Sequence, residues 1–275
     1  MEIYRSQIEA EIVRFVDQMG GESRLQEACQ YALLNGGKRL RPLLVLMIAE
    51  ALENGANVIH AALSVEFFHT ASLIADDLPC MDNDDFRRNR PALHKTFGES
   101  TAILASYALI AEGYGGIHRN GKNCPERAAI CLEAATHCAG INGATNGQYL
   151  DLYPPDFSLE TIRKVIYQKT VTLFEISFIF GWVFGGGDLT RLDEVKRSAY
   201  HLGMAFQIAD DLIDGDQDSR INMAIAVGRD EARRMLEEEM NGFISSLENL
   251  KIWNSRFEEV VLWLQNYAKT PIAKI

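Results

Sequence analysis

Two clusters of carboxylates stand out in this 275-residue chain, because each one follows a run of apolar residues. The first is DDLPCMDNDD, Asp76 to Asp85, which contains five carboxylates and no basic residue. It comes directly after SVEFFHTASLIA, a segment typical of a protein interior. Carboxylates repel one another and are costly to bury without a partner. The cluster therefore requires something positive beside it.

The second cluster is FQIADDLID, in which Gln207, Asp210, Asp211 and Asp214 stand at i, i+3, i+4 and i+7. A helix would present these residues as one polar stripe. Either cluster alone could be a solvated helix end, but two clusters that each continue an apolar helix favour a shared ligand. Oxygen ligands of this kind suit Mg²⁺, which takes one or two carboxylates and completes its shell with water and phosphate.

A metal held in this way predicts a phosphorylated substrate and basic residues near it. NGGKRLRP supplies Lys38, Arg39 and Arg41 at a glycine-rich entry to a helix, where phosphate oxygens can bind. The alternative is a loop with solvated charges. FRRNRP places Arg87 and Arg88 directly after the first cluster, either as phosphate ligands or as charge-balancing neighbours.

Three further polar residues interrupt apolar helical segments. His69 lies seven residues before Asp76 and hence on the same helix face, although a lone helical histidine is usually structural. Lys169 and Thr170 interrupt another apolar helix, where an unpaired lysine would be costly. Each signal is weak by itself, and their convergence predicts one phosphate-binding site.

The elements that must position these residues are helices. Segments such as TIRKVIYQKTVTLFEISFIFGWVF have apolar residues at steps of three, four and seven, and strand-type alternation between hairpin turns is absent. No composition shift, repeat or low-complexity tract divides the chain. We therefore expect residues 1–275 to form one all-α domain, a bundle of roughly ten helices.

Composition excludes several functional classes. A formal net charge of -11 argues against nucleic acid as a partner, and no apolar run has the length that a membrane-spanning helix needs. The charged start MEIYRSQIEAEIVRF predicts neither a signal nor a transit peptide. Cys131, His137 and Cys138 could be zinc ligands, but small buried residues in a reducing compartment are the preferred interpretation. The sequence therefore predicts a cytoplasmic protein.

Five segments together resemble one family. GGKRLRP, SLIADDLPCMDNDDFRR, GQYLD, QKT and FQIADDLID occur in the order and approximate spacing of the trans-isoprenyl diphosphate synthases (polyprenyl synthetases), from about residue 30 to about residue 215. The two extra residues within the first aspartate motif resemble the short-chain farnesyl and geranylgeranyl diphosphate synthases. The resemblance implies the isoprenoid synthase fold, an all-α bundle around a central cavity, and usually a homodimer.

The resemblance also implies a role for each candidate residue. Mg²⁺, up to three ions per active site, would be held by Asp76, Asp82 and Asp210. Of these, Asp76 and Asp210 would be catalytic together with Lys169. The allylic diphosphate would be bound by Arg87, Lys169, Thr170 and Gln207, and isopentenyl diphosphate by Lys38, Arg41, His69 and Arg88.

The implied reaction begins when metal and cationic side chains stabilise the departing diphosphate, so that the allylic C–O bond ionises. The double bond of isopentenyl diphosphate, held at its own cationic site, attacks the carbocation. Loss of a proton to the released diphosphate then leaves an alkene that is longer by one C5 unit. Apolar helix walls keep water away from the cation.

Product length is expected to depend on Ala71 and Ser72, which lie five and four residues before Asp76. In the family, bulky aromatic residues at these positions limit the product to C15. Both residues are small here, which favours geranylgeranyl diphosphate over farnesyl diphosphate. The alternative is that Ala71 and Ser72 only serve helix packing and that another side chain, such as Tyr107, forms the floor.

The chain departs from the family pattern in three places. The loop after the second aspartate motif lacks the usual diphosphate-binding lysines, for which Arg220 or Arg229 are possible substitutes. Ala75 replaces a histidine, and Ser106 with Tyr107 replaces Gly-Asp. A weakly active or regulatory subunit of a heteromeric synthase is therefore the alternative function, and a class I terpene cyclase is a third one.

Overall fold

The computed structural model describes residues 1–19, 23–214 and 221–269. In this part of the chain almost all regular structure is helical, which confirms the all-α prediction. The α-helices exceed the expected ten because α5, α8, α9 and α12 are short segments of nine residues or fewer. The helices described are α1 (Glu2–Gln18), α2 (Arg24–Leu33), α3 (Leu40–Ala51), α4 (Ile59–Asp76), α5 (Leu93–Phe97), α6 (Glu99–Gly121), α7 (Pro125–Ala139), α8 (Ala144–Leu152), α9 (Leu159–Ile166), α10 (Thr172–Phe184), α11 (Leu192–Asp214), α12 (Met223–Val227), α13 (Arg229–Asn249) and α14 (Ser255–Tyr267).

Helix α10 lies at the centre of the bundle. All of its residues are buried, and it packs against α3, α4, α7 and α11. A helix that is apolar on every side is stable in water only when other helices surround it, which explains why α10 has no solvated face. None of the helices in the described residues combines the length and the apolar character needed to span a bilayer.

A π-helical turn, Tyr167–Val171, joins α9 to α10. The apolar periodicity predicts one continuous helix here, and the chain does run on without a break from Leu159 to Phe184. The π turn contains one residue more per turn than an α-helix. Lys169 and Thr170 lie within it, so the two polar residues that interrupt the apolar pattern also occupy the irregular turn.

A small hairpin, absent from the sequence prediction, follows the first aspartate cluster. Strands β1 (Phe86–Arg87) and β2 (Arg90–Pro91) pair in antiparallel register. The two residues between them, Arg88 and Asn89, have φ values of 53° and 63°, as both central residues of a type I′ turn must. The guanidinium of Arg88 reaches back to the carbonyl oxygen of Gly36.

Helices α4 and α6 pack tightly against each other at a glycine. A Cβ atom on Gly116 would lie 2.8 Å from the carbonyl oxygen of His60 and closer still to the hydroxyl of Ser64. The neighbouring Gly115 faces only the flexible side chain of Arg119, whose Nη1 would be 3.2 Å from an added Cβ. Two adjacent glycines of one helix thus have different packing roles.

We expect Gly116→Ala to lower the free energy of unfolding by about 1–3 kcal/mol, because the added methyl group forces α4 and α6 apart. The matched control, Gly115→Ala, should raise it by about 0.5–1 kcal/mol, because alanine has less backbone entropy to lose in a helix. Urea denaturation of both variants measures the two changes. Equal losses in the two variants would contradict this packing.

Candidate functional site

Both aspartate clusters contribute to one cavity of about 400 Å³ between α3, α4, the π turn and α11. Residues of the separate motifs therefore lie together in space. Of the residues singled out from the sequence, the cavity is lined by Lys38, Arg39, Arg41, His69, Ser72, Asp76, Arg87, Arg88, Lys169, Thr170, Gln207 and Asp210.

The glycine-rich segment before α3 is anchored by a buried ion pair. Arg39 is 2% exposed and has a left-handed φ of 49°. Its guanidinium donates hydrogen bonds to Glu66 at 2.5 Å, to Glu9 at 2.8 Å and to the carbonyl oxygen of Leu33 at 2.5 Å. Glu66 is 1% exposed. Arg39, which the sequence groups with two phosphate-binding candidates, therefore has a structural role.

The same segment packs tightly against the hairpin. Gly37 has a φ of 120°, and a Cβ atom there would overlap the guanidinium of Arg88. Only glycine combines this backbone conformation with so close a contact. The two cationic motifs of the sequence, GGKRLRP and FRRNRP, are therefore in direct contact.

Arg41 and His69 form a buried pair in the cavity wall. The guanidinium of Arg41 lies 4.6 Å from the centre of the Phe174 ring and 3.5 Å from Nε2 of His69. Burial lowers the pKa of Arg41 to about 10, so the group is still charged at neutral pH. Burial, and then Arg41 itself, hold the pKa of His69 well below its ordinary value.

The imidazole of His69 is therefore neutral, and its contact with Arg41, which can only donate, favours the tautomer protonated on Nδ1. Because Nε2 faces an Arg41 N–H and accepts its hydrogen bond, the ring proton is on Nδ1. That Nδ1 is buried and has no hydrogen-bond partner among the described residues. A buried N–H without a partner in a cavity wall is suited to donate to an anionic ligand.

Three of the five carboxylates of the first cluster form ion pairs within the protein. Asp77 is buried and accepts a hydrogen bond from Nε of Arg87 at 2.8 Å. Asp84 also pairs with Arg87, at 3.0 Å, and Asp85 pairs with Lys95 at 2.6 Å. The negative charge that needs an external cation is therefore concentrated on the other two members of the cluster.

These two members are Asp76 and Asp82. Asp76 lines the cavity, and no side chain in the described residues donates a hydrogen bond to its carboxylate. Burial raises the pKa of Asp76 to about 7. Asp82 is exposed and does not line the cavity; it accepts a hydrogen bond from Gln148 at 3.4 Å and adds to the negative potential at Asp76.

The second cluster divides between the cavity and the protein interior. Asp210 lines the cavity, whereas Asp211 is buried and accepts hydrogen bonds from the Met223 backbone N–H at 2.7 Å and from Gln207 at 2.9 Å. Thr170 in turn donates to Gln207 at 2.8 Å. The single polar stripe expected from the spacing is therefore incomplete, because Asp211 holds the chain that follows α11.

The remaining parts of the second motif lie partly outside the described residues. Helix α11 ends at Asp214, but the side chain of Asp214 is not among the described parts of the structure. Arg220 also lies outside the described residues. Arg229 donates a hydrogen bond to the carbonyl oxygen of Leu212 at 2.7 Å. This contact directs Arg229 to the end of α11, so its side chain has a structural partner there.

Lys169 forms an ion pair, as the cost of an unpaired lysine in an apolar helix would require. Its ammonium lies 2.5 Å from Asp151 of α8. Burial lowers the pKa of Lys169, but Asp151, Asp76 and Asp82 together raise it above its ordinary value. The segment GQYLD supplies Asp151, and a Cβ atom on its Gly147 would overlap the backbone of Lys169. Asp151 belongs to the GQYLD motif, but the sequence pattern did not indicate that it would pair with Lys169.

A second cavity of about 540 Å³ begins at Asp76 and follows α4. Ala71 and Ser72 line it, as do the rings of Phe68 and Tyr114, which meet edge to face at 5.1 Å. Phe68 lies eight residues before Asp76, so it is about 12 Å deeper along the helix axis. The walls are mainly apolar, and small residues face the upper part of the cavity.

The positions that depart from the family pattern lie beside this second cavity. Ser106 lines it and donates a hydrogen bond to the carbonyl oxygen of Ala71 at 3.0 Å, and Ala75 lines it as well. Tyr107 is 65% exposed on the outer side of α6. The alternative that Tyr107 forms the floor is therefore wrong, because α6 turns it away from the cavity.

The donor set fits Mg²⁺ better than zinc. Among the residues that the structure describes, no three His, Cys, Asp or Glu side chains converge on one metal-sized position, and Cys131 and Cys138 are buried in the core. Mg²⁺ requires only one or two carboxylates per ion when phosphate and water complete its shell. A cation beside Asp76 would also stabilise the charged carboxylate that burial disfavours.

Comparison with known proteins agrees with the resemblance of the motifs. Residues 22–231 match the sequence profile of the family described as polyprenyl synthetase. Geranylgeranyl pyrophosphate synthase 11, chloroplastic, from Arabidopsis thaliana is 39% identical over 198 residues, which are 69% of this chain and 56% of that protein. The corresponding chloroplastic synthase of Capsicum annuum is 39% identical over 195 residues, 69% of this chain and 53% of that protein. The chain spans just over half the length of these curated relatives.

Solved structures match over nearly the whole chain. An FPP/GFPP synthase from Zymomonas mobilis has a TM-score of 0.82 and 31% identity, covering 98% of this chain and 97% of that one. A geranyltranstransferase from Thermotoga maritima has a TM-score of 0.85 and 30% identity, covering 98% of both chains. The fold is therefore similar to that of both proteins.

The buried ion pair before α3 gives a stability prediction. Glu66→Leu should lower the free energy of unfolding by about 3–5 kcal/mol, because it removes the buried one of the two carboxylates that pair with the guanidinium of Arg39. The double variant Arg39→Met/Glu66→Leu should lose less than the sum of the two single variants. A double-mutant cycle measured by urea denaturation tests this coupling, and strictly additive losses would contradict it.

Proposed function

Because the chain belongs to the polyprenyl synthetase family, we propose that it is a short-chain trans-prenyltransferase, which joins an allylic diphosphate to isopentenyl diphosphate. One observation supports this function best. A single cavity combines carboxylates of both aspartate motifs with several buried or half-buried cations, and it adjoins a mainly apolar cavity. The names of the relatives, geranylgeranyl pyrophosphate synthases and a geranyltranstransferase, agree with this reaction class.

Two sets of residues are proposed to bind the two diphosphates. Lys169 and Arg87 both lie beside the first aspartate cluster, which supports their assignment to the substrate that ionises. The Nδ1–H of His69 and the charged guanidinium of Arg41 support a second anion site on the α3 side of the cavity. The allylic diphosphate is assigned Arg87, Lys169, Thr170 and Gln207, and isopentenyl diphosphate is assigned Lys38, Arg41, His69 and Arg88.

Polyprenyl synthetases need a divalent metal, and we propose that Mg²⁺ is bound here by Asp76, Asp82 and Asp210. When bound, Mg²⁺ supplies positive charge that neutralises the leaving diphosphate. The high pKa of Asp76 and its lack of a hydrogen-bond donor among the described residues support its assignment as a ligand.

The residues of the chain are proposed to act by position and charge. Lys169, with Asp151 fixing its ammonium, stabilises the diphosphate as the allylic C–O bond breaks. Arg41 and His69 hold isopentenyl diphosphate so that its double bond faces the carbocation. The released diphosphate takes up the proton that is lost, and the apolar walls around Leu173 and Phe68 exclude water.

The product is proposed to be geranylgeranyl diphosphate. Ala71 and Ser72 leave the second cavity open near Asp76, and the pair formed by Phe68 and Tyr114 lies at a deeper level of it. A prenyl chain that grows along α4 would pass the small residues and meet these two rings. Farnesyl diphosphate would be the product if the chain stopped at Ala71.

The chain is further proposed to form a homodimer in the cytoplasm. Ile103, Leu104 and Tyr107 are exposed apolar residues on one side of α6, a surface that a second copy would shield from water. The cytoplasmic location is a prediction from the sequence, whereas the names of the plant relatives specify the chloroplast.

A second candidate function is a weakly active or regulatory subunit of a heteromeric synthase. The sequence between Asp214 and Arg229 contains no lysine, and Arg229 hydrogen-bonds to α11. Losing a cation that contacts the leaving diphosphate would slow ionisation. The intact set of aspartates and Lys169 favours an active enzyme.

Incubation of the purified chain with farnesyl diphosphate, isopentenyl diphosphate and Mg²⁺ tests these functions. We expect an elongated diphosphate. Release of a hydrocarbon would indicate a terpene cyclase, and activity only after addition of a full-length synthase would indicate a regulatory subunit.

In the same assay Asp76→Asn should lower the elongation rate by about a hundredfold or more, because the cation loses a charged ligand beside the leaving group. Asp85→Asn is the matched control, since Asp85 is exposed and pairs only with Lys95 among the described residues. Its rate should equal that of the wild type. An unchanged rate for Asp76→Asn would contradict the metal assignment.

Product length gives an independent prediction. Ala71→Tyr should shorten the main product from C20 to C15, because the ring would fill the second cavity above Phe68. Tyr107→Ala should leave the length unchanged, because Tyr107 faces away from the cavity. Chromatography of the dephosphorylated products measures both. A wild-type product of C15 would contradict the inferred depth.

A further inference from the structure

Helix α14 contacts the diphosphate cavity through a lysine. The ammonium of Lys38 lies 3.6 Å from the centre of the Tyr267 ring, 5.4 Å from that of Trp263 and 5.2 Å from that of Phe206. Two of these rings belong to α14 and one to α11. We call the three rings Phe206, Trp263 and Tyr267 the aromatic platform.

The aromatic platform is built as a unit. Trp263 and Tyr267 stack at 5.3 Å with 14° between their planes, and Phe206 stacks against both at 6.3 and 6.5 Å. Three nearly parallel rings present one extended π face, and such a face attracts a cation within about 6 Å of a ring centroid. All three distances to Lys38 are within that range.

Lys38 needs such a support because its side chain is long and exposed. It lies between Gly37 and the buried Arg39, just before α3, and its side chain is exposed to solvent. A free lysine side chain has considerable rotamer entropy, so an ammonium that must meet a diphosphate gains from being held beforehand. The aromatic platform holds it at the cavity wall.

We infer that Trp263 and Tyr267 are positioning residues for isopentenyl diphosphate, acting through Lys38. The inference rests on the proposed function. Both residues lie beyond residues 22–231, the part of the chain that matches the family profile, so no motif of the sequence assigns them a role. Helix α14 thereby contributes to the site proposed for isopentenyl diphosphate, although none of its residues lines the cavity.

The competing explanation is that α14 packs against α11 only for stability. Lys38 would then lie on the rings without consequence for binding. The two explanations differ in one measurable way. If α14 only stabilises the fold, removing a ring should weaken the binding of both substrates or lower the fraction of folded protein. If the rings position Lys38, removing one should weaken only the binding of the substrate that Lys38 contacts.

The experiment compares three variants of the full chain by calorimetric titration with isopentenyl diphosphate in metal-free buffer. Tyr267→Leu removes the nearest ring, and Tyr267→Phe keeps the ring without the hydroxyl. Leu262→Ala changes an exposed residue of the same helix and is the matched control. Circular dichroism establishes that each variant is folded.

Tyr267→Leu should weaken binding of isopentenyl diphosphate about fivefold, the effect expected when an exposed cation–π contact is lost. Tyr267→Phe and Leu262→Ala should bind as the wild type does. In steady-state assays Tyr267→Leu should raise KM for isopentenyl diphosphate and leave both kcat and KM for the allylic substrate unchanged. In a Lys38→Met background, Tyr267→Leu should cause no further loss of affinity for isopentenyl diphosphate.

Equal affinities of the wild type and Tyr267→Leu would overturn the inference, as would a loss in Tyr267→Phe that matches the loss in Tyr267→Leu. An undiminished effect of Tyr267→Leu in the Lys38→Met background would also overturn it, because the ring would then act by another route. If the wild type binds isopentenyl diphosphate but elongates nothing, the proposed function is wrong and the binding data still decide the role of α14. A wild type that binds no isopentenyl diphosphate would overturn both.

Discussion

The buried ion pair between Arg39 and Glu66 is the interaction on which the arrangement of the cavity depends. A guanidinium inside a protein is tolerated only when carboxylate and carbonyl oxygens surround it, and here those oxygens come from α1, the end of α2 and α4. The segment between α2 and α3 is therefore held in one conformation. Lys38 and Arg41, on either side of Arg39, are brought to the cavity as a result.

The cations of the cavity are held in two chemically different ways. Arg41 and Lys38 rest on aromatic rings, whereas Lys169 and Arg87 are paired with carboxylates. An aromatic face orients a cation without neutralising it, but a carboxylate cancels most of its charge. On the side near Asp76, carboxylates therefore offset the charge of Lys169 and Arg87. The two proposed diphosphate subsites differ in the same way.

The sequence was sufficient to predict that the polar residues of several helices would converge, because helical spacing and apolar flanks determine which faces turn inward. The sequence pattern grouped Arg39 with its basic neighbours, although the resemblance assigns only Lys38 and Arg41 to a substrate, and the contacts of Arg39 with Glu66 and Leu33 show its structural role. It also placed Asp211 with Asp210, because only the chain after α11 shows where Asp211 finds its donors. The floor of the second cavity was missed for a related reason, since periodicity does not show that α6 turns Tyr107 outward.

The π turn at Tyr167–Val171 determines how far α9 is rotated about the helix axis relative to α10. Its additional residue rotates α9 by about 100° relative to an uninterrupted α-helix. The apolar stripe of α9, from Ile162 to Ile166, meets the bundle only with that offset. Deleting one residue from this turn would restore regular α-helical geometry. It would also rotate the apolar stripe of α9 away from the bundle. The irregular turn thus makes this helix intolerant of length variation, because three of its residues belong to the core.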